Sequence, residues 1–144
     1  MIVTFCGHSQ ITNPETVSAW LHAVIHHLIL QGADTFYLGG RGMFDQLAAS
    51  VLRQQQKTYP QIRLILVLAY LRPGQNSDGY DGTLYPPLES VPLRYAIVKR
   101  NQWMARTADI LVACVLYDWG GAASMLRYAQ QTGKKIIRYP LADS

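Results

Sequence analysis

Residues 110–124 read Ile110-Leu111-Val112-Ala113-Cys114-Val115-Leu116, then Tyr117-Asp118-Trp119-Gly120-Gly121-Ala122-Ala123-Ser124. An unbroken apolar run bounded by turn residues is the pattern of a strand buried on both faces. Helical spacing resumes from Met125 to Gln131, so the stretch reads as strand, glycine turn and helix start. Glycine has no Cβ, which lets a ligand approach the backbone closely. The first N–H groups of a helix lack internal partners and carry the positive end of its dipole. Such a corner suits phosphate or carboxylate. An ordinary tight connection gives the same pattern, and what favours a site is that similar corners occur twice more.

The first of these follows a strand at Ile2 to Cys6, as Gly7-His8-Ser9. Helix one comes next, with Thr12 or Asn13 as cap, Pro14 in its first turn and Glu15 completing a capping box with Thr12. Val17, Trp20, Leu21, Val24 and Leu28 mark its core face, and Gly32 ends it. His22 and His26 stand four apart on this helix without a third ligand nearby, so no metal site is expected. The second corner, Gly39-Gly40-Arg41-Gly42, follows a strand at Thr35 to Leu38 and leads into a helix that runs to about Thr58, with Asp45 in its first turn. An acid at that position also suits the helix dipole alone.

A third strand spans Ile62 to Ala69. Tyr70 to Val91 then forms a long irregular connection, rich in proline and glycine, that is either a binding loop or lid or a disordered surface segment. Its Tyr80, Tyr85 and Arg72 suit the wall of a planar ligand. A third helix is expected from Leu93 to Met104, carrying Arg100 and Asn101, and a last strand from Lys135 to Arg138 after Gly133.

Strands alternating with helices predict an α/β, Rossmann-like three-layer sandwich, with a mostly parallel sheet of about five strands in the order 3-2-1-4-5. The whole chain, 1–144, reads as one domain. In that order the first strand neighbours the fourth, and the glycine corners meet at the switch point where open α/β sheets bind ligands.

Hydrophobic residues at 49% and charged residues at 15% fit a folded core and exclude a disordered chain. No apolar run approaches the roughly 18 residues of a membrane span, and no signal peptide opens the chain. A cytoplasmic protein is expected. Cys6 and Cys114 fall in strands without metal spacing and read as core residues. A net charge of +4 suits an anionic ligand. The basic residues are scattered, and a nucleic-acid partner is not expected.

Four segments together resemble a known family. The opening through Phe5-Cys6-Gly7-His8, the Gly39-Gly40 turn leading to Phe44-Asp45, the segment Arg100-Asn101-Gln102-Trp103-Met104 and the Gly120-Gly121-Ala122 turn are similar to the YpsA-like branch of the SLOG superfamily. That superfamily takes in LOG proteins and DprA-like domains. The resemblance covers nearly the whole chain and implies a Rossmann-like domain that binds nucleotides or nucleotide-derived molecules, often as a homodimer or larger homo-oligomer. LOG enzymes cleave the N-glycosidic bond of nucleoside monophosphates, using a P-G-G-x-G-T-x-x-E motif and an R-x-x-x-M-like segment. Here Gly120 and Gly121 match the paired glycines, Ala123 replaces the third, Ser124 stands for threonine and Arg127 occupies the glutamate position. Arg100 and Met104 match the second segment.

The leading expectation is therefore a binder without efficient catalysis, with no cofactor, acting as sensor or sequestering protein for a phosphorylated nucleotide or ADP-ribose-like or cyclic nucleotide ligand. By analogy with other SLOG domains this suits stress or anti-phage signalling. Backbone N–H groups at Gly40 to Gly42 and Gly121 to Ser124 would hold phosphate. Arg41 and Arg100 would neutralise it, Ser9 and Ser124 would donate to it, and Asn101 would stand beside them. Asp45 or Asp118 would bind a ribose hydroxyl, and Tyr85 or Trp119 would stack on the base. Arg127 either faces that anion or points to solvent. The alternative is a phosphoribohydrolase or related N-glycosidase of LOG type, with Glu89 on the long loop as the favoured acid, Asp45 or Asp118 as other substitutes for the missing glutamate, and Arg100 assisting.

Overall fold

The computed structural model describes residues 1–72 and 74–140. Elements follow in the order β1 (Ile2–Gly7), α1 (Pro14–Leu30), β2 (Thr35–Leu38), α2 (Gly42–Thr58), β3 (Arg63–Val67), β4 (Gly82–Leu84), α3 (Leu93–Thr107), β5 (Ile110–Cys114), α4 (Gly120–Gln131) and β6 (Lys135–Arg138). The strands form one sheet in the order β4-β3-β2-β1-β5-β6, parallel throughout. The expected five strands take the expected order. A sixth, β4, comes from the Tyr70–Val91 connection, which is therefore only partly irregular. Glycine and a three-residue length hid it from a periodicity argument.

Strand alternation sorts the core into two layers. Val3 and Phe5 of β1, Phe36 and Leu38 of β2, and Ile110, Val112 and Cys114 of β5 pack with α1 and α2. Cys6, Tyr37, Leu111 and Ala113 face the other way, toward Met104 and Ala105 of α3 and Met125 and Leu126 of α4. Phe5 joins sheet to helix, its ring 6.2 Å from Phe36 and 6.5 Å from Phe44. Thr4, the buried polar residue between them, donates its hydroxyl hydrogen to the Tyr37 carbonyl at 3.0 Å.

Helix α1 starts after Asn13 as expected, but no side-chain cap forms there. The Asn13 amide instead donates to the Tyr139 hydroxyl at 3.3 Å, tying the helix start to the far end of the chain. His22 lies against Gln55 and His26 against Tyr59, 3.5 and 2.9 Å apart respectively. These histidines join α1 to α2. Among the described residues no group of three or more His, Cys, Asp and Glu side chains is placed to hold a metal. No helix among them is long and apolar enough to cross a membrane.

Candidate functional site

Parallel register brings the carboxyl ends of β1 and β5 together, Gly7 pairing with Cys114. The chain leaves these two strands in opposite directions, β1 toward α1 and β5 toward α4. A cavity of about 360 Å³ opens above them. That size lies in the range of small-molecule sites. Its floor is Phe5 and Cys6. Its walls are Gly7, His8 and Ser9, the α2 start at Arg41, Gly42 and Asp45, the α3 face at Ile97, Arg100, Asn101 and Met104, and the segment Tyr117, Trp119, Gly120, Gly121, Ala122 and Met125.

The three glycine corners are not equivalent. A Cβ at Gly7 would lie 2.2 Å from the Phe44 ring, and one at Gly39 would lie 3.0 Å from the guanidinium carbon of Arg100. These glycines exist so that protein can pack against them. At Gly120 and Gly121 nothing stands within 4 Å of such an atom. Only the third corner is open.

The backbone donors divide in the same way. Met43 and Phe44 N–H, in the first turn of α2, bond to the Ser9 and His8 carbonyls at 3.0 and 3.4 Å. Gly39 N–H donates to the Asp45 carboxylate at 3.1 Å. The second corner thus already holds an internal carboxylate, and the expected phosphate cradle at Gly40 to Gly42 is occupied by Asp45. Helix α4 has Trp119 at its N-cap position with no side-chain cap, and Gly120, Gly121 and Ala122 line the cavity. Its first N–H groups keep their bonding capacity for something else.

Arg100 is 4% exposed. One Nη1 donates to the carbonyls of Val67 at 2.8 Å and Gly39 at 3.3 Å, and Nε donates to Asn101 Oδ1 at 2.9 Å. The bonds orient the cation without neutralising it. Among the described residues the one ion pair within 4 Å is Met1–Asp34, so Arg100 has no carboxylate in contact. Burial lowers its pKa, an effect that Asp45 opposes through charge. Asp45, half-buried at the wall, is pushed up to about 6 by desolvation, against the pull of Arg100 and of the backbone N–H groups of Gly39, Arg41 and Gly40.

His8 is buried, and its Nε2 accepts the Leu116 N–H at 2.9 Å. A backbone N–H can only donate, so this ring is the neutral Nδ1–H tautomer. Burial lowers its pKa accordingly. Its ring stacks on Tyr117 at 3.6 Å, and Tyr117 stacks on Trp119 at 4.0 Å. Trp119, 66% exposed, ends the stack with a free face. Cys6 is no nucleophile here: burial raises its thiol to about 12, and Sγ–H donates to the Ala122 carbonyl.

Twelve expected residues thus share one cavity: Gly7, His8, Ser9, Arg41, Gly42, Asp45, Arg100, Asn101, Trp119, Gly120, Gly121 and Ala122. Others lie elsewhere. Gly39 sits behind Arg100, and Gly40 is backed by Leu66. Asp118 and Ala123 line a separate groove with Arg127, whose Nη1 donates to the Asp118 carbonyl at 2.9 Å. Ser124 faces a small crevice beside Asn101 and Gly121. Tyr85 and Glu89, between β4 and α3, do not line the cavity, and Glu89 is exposed. Sequence reasoning passed over Ile97 as a wall residue. Its signal was there: 97, 100, 101 and 104 share one face of a helix.

No protein-family model matches the sequence, and no curated protein matches it. Solved structures do match by shape, and they place the chain in the Rossmann-like α/β class. DNA processing protein A from Helicobacter pylori, described as binding single-stranded DNA, is similar with a TM-score of 0.69 at 18% identity. The match covers 99% of this chain and 66% of that one, so this chain spans just under two thirds of the neighbour. The molybdenum cofactor carrier protein from Chlamydomonas reinhardtii is similar in two structures, with TM-scores of 0.59 and 0.62 at 16% and 18% identity. Those matches cover 95% of this chain and 74% or 75% of the carrier.

Proposed function

We propose that the cavity binds a phosphorylated nucleotide or nucleotide-derived molecule and holds it without efficient turnover, as a sensor or sequestering protein. The observation that carries this reading is the buried Arg100 cation, without a carboxylate in contact, beside the open N-terminus of α4. A buried charge is costly unless it is paired, and an anion at the helix start would pair it. Trp119 then offers its free face to a base. One neighbour is described as binding single-stranded DNA and the other is named as a cofactor carrier, which favours a binding role over a purely structural one. The four segments that resemble YpsA-like SLOG proteins fit this assignment. The exposed Leu93, Tyr95 and Val98 of α3 suit a homo-oligomer, which light scattering checks.

The test is incubation of the purified protein with nucleoside monophosphates, NAD, ADP-ribose and cyclic nucleotides, followed by mass spectrometry of protein and supernatant. An intact nucleotide retained by the parent and lost by Arg100→Gln and Gly121→Asp supports the reading. Equal retention by both variants sinks it.

One observation favours a second reading, hydrolysis of the N-glycosidic bond. Asp45 carries a carboxyl raised to about 6 at the cavity wall, where a general acid or base would stand. Glu89 lies outside the cavity and would have to be carried in by movement of its loop, whereas Asp45 already lines it. Free base and ribose 5-phosphate in the supernatant, abolished by Asp45→Asn, would establish hydrolysis.

A further inference from the structure

At the cavity mouth two arginines converge on one tyrosine. Arg72 Nη2 donates to the Tyr70 hydroxyl at 2.7 Å, with the guanidinium 4.3 Å from the ring centre. Arg41 Nη2 donates to the same oxygen, its guanidinium 5.7 Å from the ring. A phenol oxygen has two acceptor lone pairs, and both are used. What remains on the surface is a phenol O–H and the other guanidinium N–H groups, all of them donors. Among the described residues no carboxylate lies within 4 Å of either guanidinium. Like charges this close repel unless an anion sits between them. The repulsion reaches further in, since Arg41 helps to lower the Arg100 pKa.

The cluster is continuous with the cavity. Arg41 lines it, and Ile97 lines both it and a neighbouring groove of about 470 Å³ walled by Tyr70, Arg72 and Arg94. We infer that Arg41, Tyr70 and Arg72 form a second anion subsite for the same ligand. This rests on the nucleotide reading above and narrows it: the ligand carries two linked phosphoryl groups, one at the α4 N-terminus with Arg100 and one at the mouth. A nucleoside diphosphate or a diphosphate-bridged derivative has that chemistry, and a nucleoside monophosphate does not.

Calorimetric titration of the parent, Arg72→Ala and the double variant Arg41→Ala/Arg72→Ala with AMP, ADP and inorganic pyrophosphate tests this. Arg72 is exposed, so its loss leaves the core intact. Arg72→Ala is expected to weaken ADP at least tenfold and AMP less than twofold. ADP binding within twofold of the parent overturns the subsite while leaving the nucleotide reading standing. If the parent binds neither nucleotide, pyrophosphate decides the subsite alone, and the nucleotide reading is decided by the wider ligand panel above. Pyrophosphate binding lost in the double variant upholds the subsite; pyrophosphate bound equally by the double variant, or by neither protein, overturns it. A thymidine oligonucleotide that binds more tightly than ADP and depends on Arg72 would assign the cluster to a nucleic-acid backbone and overturn the small diphosphate.

Discussion

Asp45 shows how one side chain can set the pH response of a site. Its folded pKa of about 6 lies above the ordinary carboxylate value of 3.8, so the folded protein binds more protons than the unfolded chain between these values. The Asp45 contribution to stability is therefore fully present below about pH 4 and declines as pH rises through 6. Its negative charge also appears beside the proposed anion over the same range. Anion affinity is expected to fall from pH 5 to pH 7, and Asp45→Asn should flatten that fall in a titration series. His8 acts in the opposite sense. Its depressed pKa stabilises the folded protein above the usual 6.5 and loses that contribution on acidification, because protonation of Nε2 breaks the bond from Leu116. The polar identity of these residues was legible in the sequence, since His8 and Asp45 stand at glycine corners and Arg100 falls in the segment Arg100 to Met104. What the sequence hid was direction: Asp45 turns into the second corner and fills it, and Arg127 turns away from the cavity.

At the scale of elements, α2 and α4 begin alike in sequence and differ in use. The α2 start is tied to the Ser9 and His8 carbonyls and pressed through Phe44 against Gly7. Gly7→Ala forces a rigid ring to move, and overpacking of this kind costs about 1–3 kcal/mol, measurable as a lower denaturation midpoint. The α4 start is open. A Cβ at Gly121 meets no atom within 4 Å, and an aspartate there lies at the positive end of the helix dipole. Gly121→Asp should hold or raise stability by up to about 1 kcal/mol while abolishing anion binding. Opposite signs in the two assays distinguish an open corner from a packed one. Two glycine-rich turns look alike on paper because whether space is filled depends on residues far away in the chain.

For the whole molecule, alternation of strands and helices was sufficient to order the main strands, because parallel crossovers permit few alternatives. It did not reveal β4, whose three residues carry no periodic signal. Nor did it reveal the arginine cluster, since residues 41 and 72 meet only through the return of β3 beside β2. The apolar layer under α2 anchors this arrangement. Phe44→Ala should destabilise the fold by about 3–5 kcal/mol, seen in chemical denaturation.

The exposed turn at Asn76 and Ser77 divides the chain so that β1, β2, β3 and the α2 start lie on one side, and α3, β5 and α4 on the other. Each part carries a share of the cavity wall. The two parts meet along the β1–β5 and β3–β4 pairings. The protein can therefore serve as a split reporter. If the proposed ligand binds, fragments cut at this turn and produced separately would retain it only on reassembly, and by touching both it would act as the glue that joins them.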